Sequence, residues 1–321
     1  LGGGLQVVVT SVKVVSLVSI VVLPFVCVAL NADADVDAQR LEPIWPEDLG
    51  HFDWTRFGKA MVGILWSYHG WMNLAPVAEE VKEPNRNLPW AFLVGTLTVI
   101  VLYCTVNASY HLVVPRADMA DLLIGGTSPV ATLFATRLFG SVGLLLASAA
   151  IMTSVFGSLN GNLLVGPRLL YAMGHDGLAP RFLSRLHPDW GTPVAAQIGL
   201  TGWSVLLVLG MGFFVNGGVL DKSIFDGLTD YCMFGAVAFE TMAVATIFVC
   251  RQRYPIGQVE LPYRAWGYPW LPIIYVVVMA TVLVNMFVTD LKQSLAAVAV
   301  VALGAVVYAL VFANRNIRPE A

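Results

Sequence analysis

The chain has 321 residues, of which 57% are hydrophobic and only 12% are charged, compared with roughly 25% charged residues in an average soluble domain. A soluble core cannot absorb that excess, because the surface of a folded protein has to be covered with polar groups. Lipid is therefore the expected solvent. The formal net charge of −3 and the lack of a basic stripe argue against binding to nucleic acid.

Eight apolar runs are long enough, or nearly so, to cross a bilayer as helices. They are predicted at about 5–30, 58–80, 90–113, 140–173, 193–215, 224–250, 269–289 and 292–313. The segment 129–139 is predicted to be a short helix on the surface rather than a span. We therefore expect an all-α polytopic membrane protein with one membrane domain over 1–321.

Lysine and arginine are unevenly distributed between the two sides of these spans, and the richer side is expected to be cytoplasmic. Loops 81–89, 174–191 and 251–268 and the C-terminus carry more of these residues than the opposite loops do. The sequence therefore predicts a multi-pass protein of the cell membrane with a cytoplasmic C-terminus. The acidic loop 31–57 is expected outside.

The first run contains one charged residue, Lys13. A lysine inside a span costs roughly 2.5–3.5 kcal/mol on insertion scales, so it normally faces the bundle interior and marks function. The alternative is that Lys13 lies near the cytoplasmic end and extends to the interface. The chain begins at Leu1 without a charged region before this run, and we interpret it as part of a longer chain.

The second run is interrupted by residues that disfavour a continuous helix. The stretch "GILWSYHGWMNLAP" at 63–76 contains Gly63, Gly70 and Pro76, with Ser67, His69 and Asn73 between them. Non-helical backbone at membrane depth is tolerated only where it lines a cavity, and this pattern is typical of a discontinuous helix with a ligand site. A kinked helix whose glycines allow close packing is the alternative.

Two later runs carry polar residues at membrane depth. Ser158 and Asn162 are spaced i, i+4 and share one helix face, whereas Asn160 is expected to bond a neighbouring helix. Glu240 is a second intramembrane charge, interpreted either as a proton-titrating site or as the partner of a cation from a span that precedes this chain.

Three stretches together resemble one transporter family. "LWSYHGWMNLAPVAEEVKEPNRNLP" (65–89) resembles the sixth span and following loop of the amino acid–polyamine–organocation superfamily, closest to its L-type amino acid transporter branch. "FGSLNGNLLVGPRLLYAMGHDGLAPRFLSRLHPDWGTPV" (156–194) resembles the eighth span and its cytoplasmic exit, and "LQVVVTSVKVVSLVSIVV" (5–22) resembles the fifth. The motifs occur in the family's order and the resemblance covers essentially the whole chain.

The resemblance implies an inverted-repeat fold of the leucine-transporter type, with about eight spans present of twelve. Residues 1–30 would be the last span of the first repeat and 58–250 the second repeat, with a discontinuous helix near 63–80. Residues 269–313 would be two C-terminal spans. The four spans expected before them would complete the substrate site.

The resemblance also implies site residues around the break. Trp66 would be the aromatic gate over the substrate, and Ser67, Tyr68 and Gly70 would present backbone groups of an unwound stretch to it. His69 departs from the family, in which an acidic or small residue is common. Like Glu240, it is one of two candidate proton sites, and a packing histidine is the alternative.

Lys13 would occupy the volume that sodium fills in relatives and would hold the fifth span against the eighth. Ser158 and Asn162, which share one helix face, could meet either Lys13 or the substrate. This implies sodium-independent transport, either by exchange or by proton coupling, and the sequence leaves both open. The predicted function is thus a secondary transporter that moves an amino acid across the bilayer by alternating access, without a cofactor or metal.

Two other classes of function were weighed against transport. A multi-pass enzyme acting on lipids would need converging acid–base or metal-binding side chains. The histidines are instead scattered along the chain, at His51, His69, His111, His175 and His187. A channel would need a repeated pore-lining motif, which is not evident, and no GxxxxGK[ST] motif indicates the use of ATP.

Overall fold

The computed structural model describes residues 2–30, 35–44, 53–125, 129–218, 223–254 and 267–311. This part of the chain forms nine α-helices, α1 (Gly2–Ala29), α2 (Trp54–Tyr68), α3 (Pro84–Val113), α4 (Arg116–Gly125), α5 (Val130–His175), α6 (Val194–Asn216), α7 (Ile224–Arg253), α8 (Trp270–Thr289) and α9 (Leu291–Val311). A 3-10 helix follows α2 at His69–Glu80. Two short ones lie at Ala38–Leu41 and Arg181–Ser184.

Among the described residues, seven helices are long and apolar enough to cross a membrane, namely α1, α3 and α5 to α9. They match seven of the eight predicted runs. The other predicted run, 58–80, coincides with α2, which has 15 residues, and with the 3-10 helix that follows it. The prediction of an all-helical, polytopic membrane protein is confirmed.

The spans present apolar side chains on most of their surface. In α6, for example, Ile198, Leu206 and Phe213 are 68%, 62% and 76% exposed. A helix that is hydrophobic all round needs either a protein core or lipid around it, and exposed apolar surface of this extent is typical of a membrane-embedded protein.

Helix α5 consists of two parts that meet at Gly140, where φ is 60° and ψ is −140°. A positive φ is easily adopted only by glycine, because any side chain would clash with the backbone. The part before Gly140 corresponds to the short helix predicted at 129–139, and the part after it to the span predicted at 140–173. Helix α4 was not predicted, because its sequence is too polar for a span.

The chain divides into two compact units, Leu1–Phe52 with Arg86–Val165, and Asp53–Asn85 with Gly166–Ala321. The core of the first unit contains Val113, Val114 and Phe134, each at most 1% exposed. The ring of Tyr110 meets that of Phe134 edge-on, with 5.4 Å between the centroids. This cluster joins the end of α3 to the first part of α5.

Two arginines fix the described part of the loop after α1. Arg40 donates to the carbonyl of Val113 at 3.0 Å and pairs with Asp35 at 2.5 Å. Arg137 pairs with Asp118 and with Asp35. Since the last carbonyls of a helix lack partners within the helix, Arg40 also caps the C-terminus of α3.

The core of the second unit is apolar and is shared by α2, α7 and α8. Its buried members are Val62, Met233, Val237, Val282 and Met286. This packing holds α2, which carries the predicted break, directly against α7, which carries Glu240. The assignment of these helices to family repeats stays a prediction.

Candidate functional site

The α-helical hydrogen bonding of α2 ends at Tyr68, inside the predicted discontinuity. His69 caps the helix, and its N–H donates to the carbonyl of Trp66, which is the i to i−3 bond of a 3-10 helix. The 3-10 segment continues for 12 residues, although such runs rarely exceed three or four. This apolar segment therefore contains an unusually long stretch of weaker backbone hydrogen bonds.

The expectation that Ser67 and Tyr68 lie in an unwound stretch is wrong. Both belong to the last turn of α2, and the Ser67 hydroxyl donates to the carbonyl of Gly63 at 3.0 Å. No glycine or proline occurs between Gly63 and Gly70, so nothing interrupts the helix earlier. Gly70 does lie in the 3-10 segment and is exposed.

Trp66 lies one turn before the break and is 42% exposed. Its ring meets that of Phe225 edge-on, with 6.3 Å between the centroids. Aromatic pairs in this geometry attract each other beyond simple burial. Phe225 lies at the start of α7, so this contact links α2 to α7 near the predicted substrate contacts.

His69 and Glu240 come together at the break. His69 Nδ1 lies 3.1 Å from Glu240 Oε1, and the two side chains are 27% and 11% exposed. Glu240 lies near the middle of α7, deep within a predicted span. Two titratable side chains that are far apart in the sequence therefore share one site in an apolar environment.

Lys13 and Ser158 also come together, within the first unit. Lys13 Nζ donates to Ser158 Oγ at 2.7 Å, which joins α1 to α5. Asn162 lies one turn further along the same face of α5, and its side chain is exposed. Among the described residues, no carboxylate lies within ion-pair distance of Lys13, so this ammonium is held by a neutral hydroxyl.

Small residues bring α1 and α5 close enough for that bond. A Cβ added at Gly157 would lie 2.0 Å from Cγ1 of Val9 and 3.3 Å from Cε of Lys13. Four residues further on, a Cβ at Gly161 would lie 3.3 Å from Nε2 of Gln6. This is the G-x-x-x-G spacing that lets membrane helices approach closely.

The same interface contains a second interhelical hydrogen bond. Asn160 Nδ2 donates to Oε1 of Gln6 at 3.0 Å. The expectation that Asn160 bonds a neighbouring helix is thereby confirmed.

A cavity of about 650 Å³ opens beside Lys13 in the first unit, between α1, α3 and α5. Its polar lining includes Lys13, Ser16, Tyr103, Ser154 and Ser158. Small-molecule sites are typically 300–1,000 Å³, mostly apolar and oriented by a few polar groups. The ammonium of Lys13 and its serine partner therefore border an internal space large enough for a small solute.

The model of one protein family, described as amino acid permease, matches residues 1–312. The chain belongs to the amino acid permease family. This confirms the resemblance that the three sequence motifs indicate.

Several members of this family are similar to the chain. The serine/threonine exchanger SteT of Bacillus subtilis (strain 168) is 32% identical over 236 residues, which are 73% of this chain and 50% of SteT. The cystine/glutamate transporter of Homo sapiens is 29% identical over 201 residues, 63% of this chain and 36% of that protein. The large neutral amino acids transporter small subunit 2 of Oryctolagus cuniculus is 27% identical over 251 residues, 76% and 42% of the two chains. The chain spans about half the length of the first relative and less of the other two.

Sequence reasoning missed several parts of the site of this permease. Nothing in the sequence around Phe225 marks it as the partner of Trp66, because an aromatic residue at the start of a helix is common. Gly157 and Gly161 could have been found from their spacing in "GSLNG". The pairing of His69 with Glu240 depends on the register between α2 and α7, which no short motif encodes.

Proposed function

We propose that this permease is a secondary transporter that moves an amino acid across the membrane by alternating access. The observation that carries the proposal is the change from α to 3-10 backbone at His69, within an otherwise apolar segment. In secondary transporters, discontinuous helices of this kind form the substrate site. The three relatives named above are amino acid transporters or exchangers, which supports an amino acid as the substrate.

Substrate recognition is proposed at the C-terminal end of α2. The C-terminal end of an α-helix carries partial negative charge, which suits the α-ammonium of an amino acid, and the resemblance implies that Ser67 and Tyr68 lie beside the substrate at this end. The exposed Gly70 leaves its backbone open to the substrate. Trp66, braced by Phe225, is proposed as the gate that covers the bound molecule.

Lys13 is proposed as the substitute for a bound sodium ion. Its ammonium holds α1 against α5 through the 2.7 Å bond to Ser158, as a cation shared by the two helices would do. Asn162, on the same face, is proposed to complete this site. An ammonium at this position would remove the need for sodium.

The chain is a multi-pass membrane protein, as its family and the seven long apolar helices found among the described residues indicate. We further propose the cell membrane as its location. Loops 81–89 and 174–191 and the C-terminus are proposed to be cytoplasmic, because the arginine and lysine bias favours that orientation.

Uptake into proteoliposomes tests the function. The full-length gene product is reconstituted, and entry of radiolabelled serine, threonine, leucine and glutamate is measured with and without unlabelled amino acid inside. We expect at least one of these to enter faster than into protein-free liposomes. Uptake that never exceeds the protein-free rate, with a folded protein in the bilayer, would refute amino acid transport for this panel.

A comparison of driving forces distinguishes exchange from proton coupling. Stimulation by internal amino acid alone indicates exchange. Accumulation driven by an inward pH gradient, with no internal amino acid, indicates proton symport.

A further inference from the structure

In the second unit, His69 and Glu240 form a polar contact between the 3-10 segment and α7. Glu240 Oε1 is buried, and His69 Nδ1 lies 3.1 Å away. Among the described residues, no hydrogen bond with good angular geometry reaches this oxygen. Burying a carboxylate oxygen without such a bond costs free energy, so a bound proton or a hydrogen-bond donor would stabilise this site.

The surroundings of the pair offer little other charge. Tyr275 of α8 is close enough to interact electrostatically with Glu240. Helix α6 has no titratable side chain, and Arg56 and Lys59 lie at the far end of α2 from His69. On α9, Lys292 lines the same cavity as Tyr231 of α7, which is roughly 14 Å before Glu240 along the helix axis.

The remaining titratable groups of these elements lie elsewhere on their helices. Tyr68 ends α2 next to His69, and Tyr308 is near the far end of α9. The other titratable side chains of α7 are at least eight residues from Glu240, about 12 Å or more along the axis, namely Asp226, Asp230, Tyr231, Cys232, Cys250, Arg251 and Arg253. Of these groups, His69 is the basic side chain in contact with Glu240, so its protonation decides whether the charge of the carboxylate is balanced.

The proton content of the pair sets its net charge. A neutral imidazole beside a carboxylate leaves one negative charge in an apolar environment. One added proton makes the pair neutral overall, whether it resides on the imidazole or on the carboxyl, and a neutral pair is far cheaper to bury. Because the two groups interact strongly, this proton belongs to the pair rather than to either residue.

We infer that His69 and Glu240 together form a proton-binding site that ties the break after α2 to the middle of α7. This inference rests on the proposed transport function and specifies its coupled ion. With the proton bound, the pair holds the 3-10 segment against α7. Without it, the charge of Glu240 is unpaired and the segment is released.

The position of the pair connects this proton to the substrate. His69 directly follows the last turn of α2, which carries Trp66, Ser67 and Tyr68. A movement that opens or closes the substrate site at this turn must also move His69 relative to α7. The affinity for the proton therefore differs between the conformations, and by linkage the substrate affinity changes with proton occupancy.

The pH dependence of transport tests this inference. Exchange is measured between pH 5 and 8, the range in which histidine normally titrates, in wild type and in His69→Gln, Glu240→Gln and His69→Lys. If the rate follows proton occupancy, the wild type changes by up to about tenfold per pH unit on one side of its midpoint. We expect this dependence to flatten to less than about twofold in Glu240→Gln and His69→Gln.

The lysine variant separates a proton site from a merely structural contact. His69→Lys supplies a cation that stays charged across this range, so it should preserve the pair and remove the pH dependence. His175→Gln and Asp226→Asn, which change an exposed histidine and another acid of α7, should keep the wild-type profile. Variants at 69 and 240 that transport with an unchanged pH profile would overturn the inference.

A second readout does not require transport. Infrared difference spectra recorded on acidification should show a change in carboxyl protonation that disappears in Glu240→Gln and shifts in His69→Gln. Identical spectra in wild type and both variants would also refute the site. If wild-type protein transports no amino acid but shows this signal, the proposed function fails while the proton site stands.

Discussion

Each of the two units contains a polar contact between apolar helices that involves a charged or titratable side chain, and these two contacts differ in chemistry. In the first unit, the ammonium of Lys13 donates to the neutral hydroxyl of Ser158. In the second, a histidine and a carboxylate face each other at 3.1 Å. Of the two contacts, only the second contains an imidazole, a side chain that normally gains or loses a proton between pH 5 and 8.

This difference suggests a division of roles. A fixed cation that joins α1 to α5 suits a structural substitute for a metal ion, which must be present throughout the cycle. A pair whose charge can change suits a step at which the protein takes up or releases an ion. Substitutions in either unit test this division of roles. The largest effect on transport is expected for Lys13→Ala and the smallest for Asn160→Ala.

Lys13→Ala should reduce transport most, and equally at all pH values. Removing the ammonium leaves Ser158 and the polar wall of the cavity without their cation, and a hydrogen bond to a charged group contributes about 1.5–3 kcal/mol, or about tenfold to a hundredfold in rate. Uptake per correctly inserted protein measures the effect. Lys292→Ala, at the start of α9, serves as control. Normal uptake by the Lys13→Ala protein would show that Lys13 is not needed for transport.

Trp66→Ala should reduce uptake by about tenfold, equivalent to about 1.4 kcal/mol, while expression changes little. The reason is that the residue is 42% exposed, so its ring contributes more to covering a substrate than to the core. Phe213→Ala, another exposed aromatic, provides the comparison. Equal loss of expression and uptake would indicate a packing role instead.

Gly157→Ile should weaken the contact between α1 and α5. Even the first carbon of a side chain would lie 2.0 Å from Val9, and overpacking of this kind costs about 1–3 kcal/mol. We expect a lower midpoint in thermal unfolding and reduced uptake. Gly95→Ala, which meets no atom within 4 Å of its new Cβ, should behave as wild type. A Gly157→Ile protein that is as stable as the control would show that the helices do not need this close approach.

Asn160→Ala should have the smallest effect. Side-chain hydrogen bonds between membrane helices contribute about 0.6 kcal/mol on average, so a slightly lower unfolding midpoint and nearly normal uptake are expected. A loss of uptake as large as that of Lys13→Ala would mean that the bond from Asn160 to Gln6 is part of the site itself.

The spans and the family could be predicted from the sequence, because long apolar runs and local motifs carry that information. The runs around α6 and α8 were placed within a residue or two, since nothing interrupts them. The α-helical part of α2 extends a few residues further than predicted, to Tyr68, because the first glycine or proline after Gly63 is Gly70. The partners of Trp66 and Glu240 could not be predicted, since they depend on how α2 packs against α7.

The role assigned to Lys13 is tested most directly by the ion dependence of transport. Amino acid uptake by the full-length gene product is measured in proteoliposomes with sodium and with sodium replaced by choline, at constant pH and ionic strength. If the ammonium of Lys13 takes the place of sodium between α1 and α5, the two rates should agree. A strict requirement for sodium would contradict the account.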